Sequence, residues 1–220
     1  MPFNFNKIEN NTKFQVTEKA WEVFMKHIGT KRIETKRLLL RPFDQGDAWA
    51  MFHHWVNDPA VTHFLTWEPH GRIEVTRELL LHWENRSRRP DYYNWAIVPY
   101  MNDAVQGQTA MLLPDDPVGG ISVVQYSEED QVGVVGYCLS KAFWGQGIMT
   151  EALGAVIHFL FHEVGFHRIE AQHDTNNPAS GKVMLNCGMQ REGVLRKAKF
   201  CPRRGFYDVA IYGILKEHSV

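Results

Sequence analysis

Two glycines one residue apart, Gly145 and Gly147, interrupt a bulky stretch that reads FWGQGIMTEA over residues 143–152. Glycine takes left-handed backbone without a Cβ penalty, so the pair marks either a tight turn or a place where something approaches the backbone closely. A strand pattern precedes it and a helix pattern follows. Backbone N–H groups at a strand-to-helix junction converge, and the helix N-terminus adds partial positive charge. That chemistry suits a pyrophosphate. Neither GxxxxGK[ST] nor GxGxxG occurs, so a nucleoside-triphosphate reading is weak.

Other residues invite chemistry and have plainer readings beside it. Asn177 and Ser180 open a helix after a strand, where both are good N-cap residues. On that strand Glu170, Gln172 and Asp174 share one face by alternation, and His173 points to the other. Glu170 and His173 are both candidate proton acceptors. Glu151 falls in the first turn of a helix, where a carboxylate stabilises the dipole. His158 and His162 have metal-ligand spacing but lack HExxH and a third ligand, so they read as a polar helix face and no metal is expected. A Cys138 nucleophile would need a histidine partner. The basic runs at 86–89, 196–199 and 203–204 read as solvated loops, with contact to a phosphate or an acidic acceptor as the minor alternative.

The motifs gain force together. VGYCL (135–139), FWGQGIMTEA (143–152), HRIEA (167–171), NPAS (177–180), CGM (187–189) and EGVLR (192–196) occur in an order and spacing that resembles the GNAT N-acetyltransferase superfamily. Within it they look most like the branch that acetylates N-termini of ribosomal proteins. The resemblance covers about 34–216.

It implies acetyl-CoA as cosubstrate and acetyl transfer to a primary amine. It implies an α/β (α+β) fold: a mixed, mostly antiparallel central sheet with helices on both faces and a splayed pair of parallel strands. By position the splayed strands are 136–140 and 169–174. The cofactor would then meet Tyr137, Cys138 and Leu139, the loop Trp144, Gly145, Gln146, Gly147, Ile148, Met149 and Thr150, and Asn177 with Ser180. Ser180 is the expected proton donor to the departing thiolate, and Glu170 is the first choice for the amine's proton. The family loop reads (Gln/Arg)-x-x-Gly-x-(Gly/Ala), and Ala142 stands where Gln or Arg is expected. This loop must therefore bind mostly through backbone. The expected acceptor is a protein N-terminal amine. A small amine such as a polyamine or amino-sugar drug, and a non-catalytic acetyl-CoA-binding module, are the alternatives.

These residues need elements to position them. Met149, Ala152, Leu153, Val156, Leu160, Phe161 and Val164 make a helical stripe closed by Gly165. Strands are predicted at 37–41, 92–98, 118–126, 132–139, 167–173, 189–195 and 206–215, the last two joined by a basic loop. The acidic turn at 127–130 makes a hairpin of two of them. Helices are predicted at 44–57 with Asp44 as N-cap, at 72–85 and at 176–186. A short helix over 17–28 belongs to an N-terminal extension, 1–34, ahead of an N-acetyltransferase domain, 35–220. Residues 99–117 read as an irregular insertion. Trp55, Phe64, Trp67, Trp83 and Trp95 either shape an acceptor cleft or fill the core, with core favoured for most.

The totals agree with one globular domain: 220 residues, 44% hydrophobic, 22% charged, formal net charge −1. That balance points to neither nucleic acid nor a membrane surface. Three scattered cysteines form no disulfide framework, and the polar N-terminus lacks a secretory h-region, so a cytoplasmic protein is expected. Self-association as a homodimer stays open.

Overall fold

The computed structural model describes residues 25–100 and 112–218. One sheet holds β1 (Ile33–Glu34), β2 (Leu38–Pro42), β3 (Asn94–Pro99), β4 (Gly119–Ser127), β5 (Val132–Leu139), β6 (Arg168–Asp174), β7 (Gln190–Cys201) and β8 (Gly205–Leu215). Their spatial order is β1-β2-β3-β4-β5-β6-β8-β7. Every neighbouring pair is antiparallel except β5 with β6. The helices are α1 (Ala48–Met51), α2 (Pro59–Thr62), α3 (Ile73–Ser87), α4 (Ile148–Phe159) and α5 (Pro178–Asn186).

Strand alternation gives the sheet two apolar faces. Trp95 and Ile97 of β3 join Val135, Ile169 and the stripe of α4 in one cluster. Ala96, between them, joins Phe43, Met51, Trp55 and Leu80 in a second, built by α1 to α3. All seven stripe residues, Met149 to Val164, are buried. Each large apolar side chain so placed contributes about 1.5–3 kcal/mol. Trp55 and Trp95 are core, whereas Trp67 and Trp83 are partly buried against the second cluster.

Several elements depart from the sequence reading. Asp44 caps as expected, accepting from the Gly46 N–H, but residues 44–57 are not one helix. A 3₁₀ turn (Gln45–Asp47), α1 and a π turn (Phe52–Val56) replace it. Arg41 of β2 grips Asp47 with two hydrogen bonds of 2.9 and 2.6 Å and draws the first turn onto the sheet. The Asn57-Asp58-Pro59 break also starts α2, because Asp58 Oδ1 accepts from the Ala60 N–H with Pro59 in the first turn. The basic loop after residue 195 is mostly strand: β7 runs to Cys201 and pairs down to a short turn at 202–204. A bulge at Lys197 (φ 52°), held by its N–H on Asp208 Oδ1, absorbs the mismatch.

Most of the predicted 17–28 helix lies outside the described residues. Its described end, from Met25 on, is not helical. There the backbone finds partners in the main fold: Lys26 N–H donates to the Val164 carbonyl and Gly29 N–H to that of Pro90. Trp95 Nε1 donates to the Lys31 carbonyl, and β1 adds a strand beside β2. Of the insertion at 99–117, residues 101–111 lie outside the described residues.

Candidate active site

The β5–β6 pair is hydrogen-bonded from Val132↔Arg168 to Val135↔Ala171, and there the ladder ends. Beyond it β5 keeps its β4 partners as far as Leu139, while β6 keeps its β8 partners as far as Asp174. The two strands part, leaving one backbone edge of residues 136–139 without a strand partner. Buried backbone groups require partners, so such a gap suits an extended amide-bearing ligand. The parting comes later on β6 than the sequence reading placed it: Ile169, Glu170 and Ala171 are still paired.

The glycine loop stands at the end of β5. Gly145 and Gly147 both have φ of 74°, and a Cβ at Gly145 would meet no atom within 4 Å. Glycine is needed there for the backbone, and the space it leaves is open. Gly147 is the N-cap of α4 and no side chain caps this terminus. The first bond of the helix runs from the Glu151 N–H to the Gly147 carbonyl, so the N–H groups of residues 147–150 lack intrahelical acceptors. This cradle fits an anion. The side chains of Ile148 and Met149 are buried, so these two meet a ligand only through their amides. Trp144, half exposed, is fixed by its Nε1 on the Leu139 carbonyl at 2.8 Å.

Tyr137 and Ser180 meet across the mouth. Ser180 Oγ donates to Tyr137 Oη at 3.0 Å, and Tyr137 Oη donates to the Ser180 carbonyl at 3.0 Å. Burial pushes the Tyr137 phenol up against the opposing effect of the Ser180 hydrogen bond, so it stays protonated at neutral pH. Gly181 seats α5 close to the sheet, since a Cβ there would lie 2.6 Å from His173 Nε2. Asn177 precedes α5 without making a side-chain cap bond. Cys138, on the opposite side of β5, packs against the second cluster. Burial pushes its thiol up to about 11, which removes the thiolate a nucleophile would need.

Opposite α5, on the face built by α1 to α3, lies a cavity of about 510 Å³ lined by Phe64, Thr175, Asn176, Arg204, Tyr207 and Asp208 among others. Arg204 dominates its wall. It donates from Nη1 to Asp174 Oδ2, and its guanidinium carbon lies 5.3 Å from the Phe64 ring centre and 5.0 Å from that of Tyr207. Burial would raise the fully covered Asp174 carboxyl, but Arg204 and the Asn176 N–H outweigh it and hold it below its ordinary value. Arg203 points the other way, to Glu68 at 2.8 Å and to the Thr62 carbonyl at 2.8 Å. The β7–β8 turn thus ties the α2–α3 segment to the end of β6. Arg204 is largely covered, contrary to the sequence reading, because it has a buried carboxylate as acceptor, whereas Arg203 stays exposed while binding Glu68 and the Thr62 carbonyl.

The structure brings Tyr137 and Ser180 into contact and ties Trp144 to the Leu139 carbonyl, whereas the Cys138 side chain turns into the second cluster. Glu170 lies apart from Ser180. It faces the α1–α3 side and accepts from Arg168 Nε at 2.7 Å, while Arg168 also binds Glu192. Glu151 does more than sit in a first turn: Thr35 Oγ1, the Arg37 N–H and Arg37 Nε all donate to it. Burial would raise its carboxyl, but those bonds prevail and lower it. Sequence reasoning missed Arg37, Asp174–Arg204 and Arg203. Their partners lie far away along the chain, and no local spacing signals them.

Residues 37–190 match the acetyltransferase (GNAT) domain family. The chain is a GNAT acetyltransferase. It is 30% identical over 190 residues to the uncharacterized N-acetyltransferase YoaA of Bacillus subtilis, covering 84% of this chain and 96% of YoaA. It is 32% identical over 98 residues to the ribosomal-protein-serine acetyltransferase of Escherichia coli, covering 44% of this chain and 54% of that one. The solved structure of RimL, a ribosomal L7/L12 N-terminal acetyltransferase in complex with coenzyme A, superposes with a TM-score of 0.69 at 21% identity, covering 84% of this chain and 98% of RimL. This GNAT domain is thus an acyltransferase whose cosubstrate is acetyl-CoA, and the parted β5–β6 pair and uncapped α4 fit that ligand. Among the described residues no helix is long and apolar enough to cross a membrane.

Proposed function

We propose that the protein transfers the acetyl group of acetyl-CoA to a protein N-terminal amine, acting in the cytoplasm. The similarity to the ribosomal-protein-serine and ribosomal-protein uS5-alanine acetyltransferases of Escherichia coli carries this choice of acceptor. The geometry supports it by separating two faces. The CoA pyrophosphate rests on the amides of the glycine loop, and the pantetheine follows residues 136–139 with Asn177 alongside. Acetyl-CoA supplies the activated thioester; the chain supplies orientation and protons. Ser180 Oγ gives up its proton on departure of the thiol, and the neutral Tyr137 phenol holds that hydroxyl in place. The amine arrives from the cavity beside Arg204, on the far face of the sheet, where a peptide end has room. Glu170 faces that side and takes the amine's proton through water.

The test is a panel. The purified chain is given acetyl-CoA with N-terminal peptides of ribosomal proteins, polyamines and aminoglycosides, and thiol release is followed. Turnover with peptides alone supports the proposal. Turnover confined to small amines overturns the acceptor, and acetyl-CoA binding with no turnover on any acceptor leaves a binding module.

A further inference from the structure

Between Ala142 and Thr150 the loop carries no cation of its own, and its one long polar side chain, Gln146, folds back to donate to the Ala142 carbonyl at 2.7 Å. It also has a liability. Glu151 places a carboxylate in the first turn of α4, next to the amides that must receive an anion. A unit charge a few ångström from a phosphate offsets much of what a helix N-terminus offers.

Arg37, at the turn between β1 and β2, touches both problems. Its Nε and its own N–H donate to the two Glu151 oxygens at 2.6 and 2.9 Å, with Thr35 Oγ1 adding a third bond at 2.6 Å. Its Nη1 donates to the Gln146 carbonyl at 3.0 Å. Its Nη2 lies 3.5 Å from where a Gly147 Cβ would stand. In a trans peptide the C=O and the following N–H point in opposite directions. Fixing the Gln146 carbonyl on Arg37 therefore turns the Gly147 N–H away from it, toward the open side of the loop.

We propose that Arg37 is a positioning residue for the cosubstrate: it cancels the Glu151 charge and locks the Gln146–Gly147 peptide with its N–H outward, making up for the Gln or Arg side chain absent at position 142. This rests on the reading that the pyrophosphate sits at this loop. An arginine is required, because only a guanidinium reaches a carboxylate and a carbonyl at once in fixed geometry.

The charge logic gives a pattern that simple structural bracing does not. Acetyl-CoA affinity is measured by calorimetry on the full chain as Arg37→Met, Glu151→Gln and the double variant, with a melting curve for each. Arg37→Met leaves the Glu151 charge with neutral donors only and no cation, and weakens binding by about tenfold. Glu151→Gln stays within about twofold of the native chain or binds tighter, because the cation remains. The double variant recovers to within about threefold, since charge is again balanced and only the peptide lock is lost. A brace would instead make the double variant the weakest. Arg37→Met binding like the native chain, or a double variant no better than Arg37→Met, overturns the proposal. If Arg37→Met does not fold, Arg37→Lys decides: it keeps the charge, loses the fork, and is expected to bind about threefold weaker, with unchanged affinity counting against the lock. A Gly147→Ala chain that binds acetyl-CoA normally would instead sink the placement of the pyrophosphate, whatever Arg37 does.

Discussion

The two faces of the sheet meet at the β5–β6 gap but are made from different materials. On the α4 side the candidate cradle is backbone: amides of an uncapped helix, two left-handed glycines and a strand edge. Side chains there brace it: Arg37 binds Glu151 and the Gln146 carbonyl, and Tyr137 binds the Ser180 carbonyl and hydroxyl. On the α1–α3 side the cavity is walled by side chains from separate segments, with Phe64, Asp174, Arg204 and Tyr207 drawn together by the β7–β8 turn. A cosubstrate common to a whole family can be held by main chain, which tolerates sequence change. An acceptor that differs between relatives must be read by side chains.

If that division is right, damage on one side should leave the other intact. The largest effect is expected at Asp174→Ala, which strands Arg204 in a covered site and costs about 3–5 kcal/mol by thermal melting. The same pair sets an acid limit. Asp174 titrates below its ordinary value when folded, so its contribution is full above about pH 4 and is lost as pH falls through the depressed value. Asp174→Asn should flatten that part of the stability curve.

Next comes Ser180→Ala. It should lower kcat by about a hundredfold while leaving the acetyl-CoA Kd nearly unchanged, in stopped-flow thiol release and calorimetry respectively. Tyr137→Phe keeps the ring and should cost about tenfold, because the serine hydroxyl loses its partner rather than its proton. Gly147→Ala introduces a Cβ at φ 74°, a penalty of about 1–2 kcal/mol, and acetyl-CoA should bind about tenfold more weakly. Glu170→Gln is the mildest catalytic change, at most about tenfold in kcat, since that carboxylate is already shared with Arg168.

The same contrast explains what was legible in the sequence. The glycine turn, the α4 stripe and the 127–130 hairpin are local patterns, and each appears in the fold close to where periodicity or turn chemistry placed it. The residues expected on the cofactor side could be named because family motifs are short runs along this backbone. The 44–57 stretch misled, because an Arg41–Asp47 clamp from the neighbouring strand overrides helical spacing. The Arg203-Arg204 pair read as solvent-facing charge, since nothing near it in the chain announces Asp174 or Glu68. Asn177 is expected at the cofactor, with a helix cap as the plainer reading, and its side chain makes no cap bond. Contacts across 30 residues or more carry no periodicity.

The most direct test of the two-material account is to measure both Michaelis constants, for acetyl-CoA and for an N-terminal peptide acceptor, on Gly147→Ala and Arg204→Lys side by side. The account predicts a split: the first variant raises the acetyl-CoA KM by about tenfold and leaves the peptide KM alone, while the second does the reverse. Both constants rising together in both variants would contradict it.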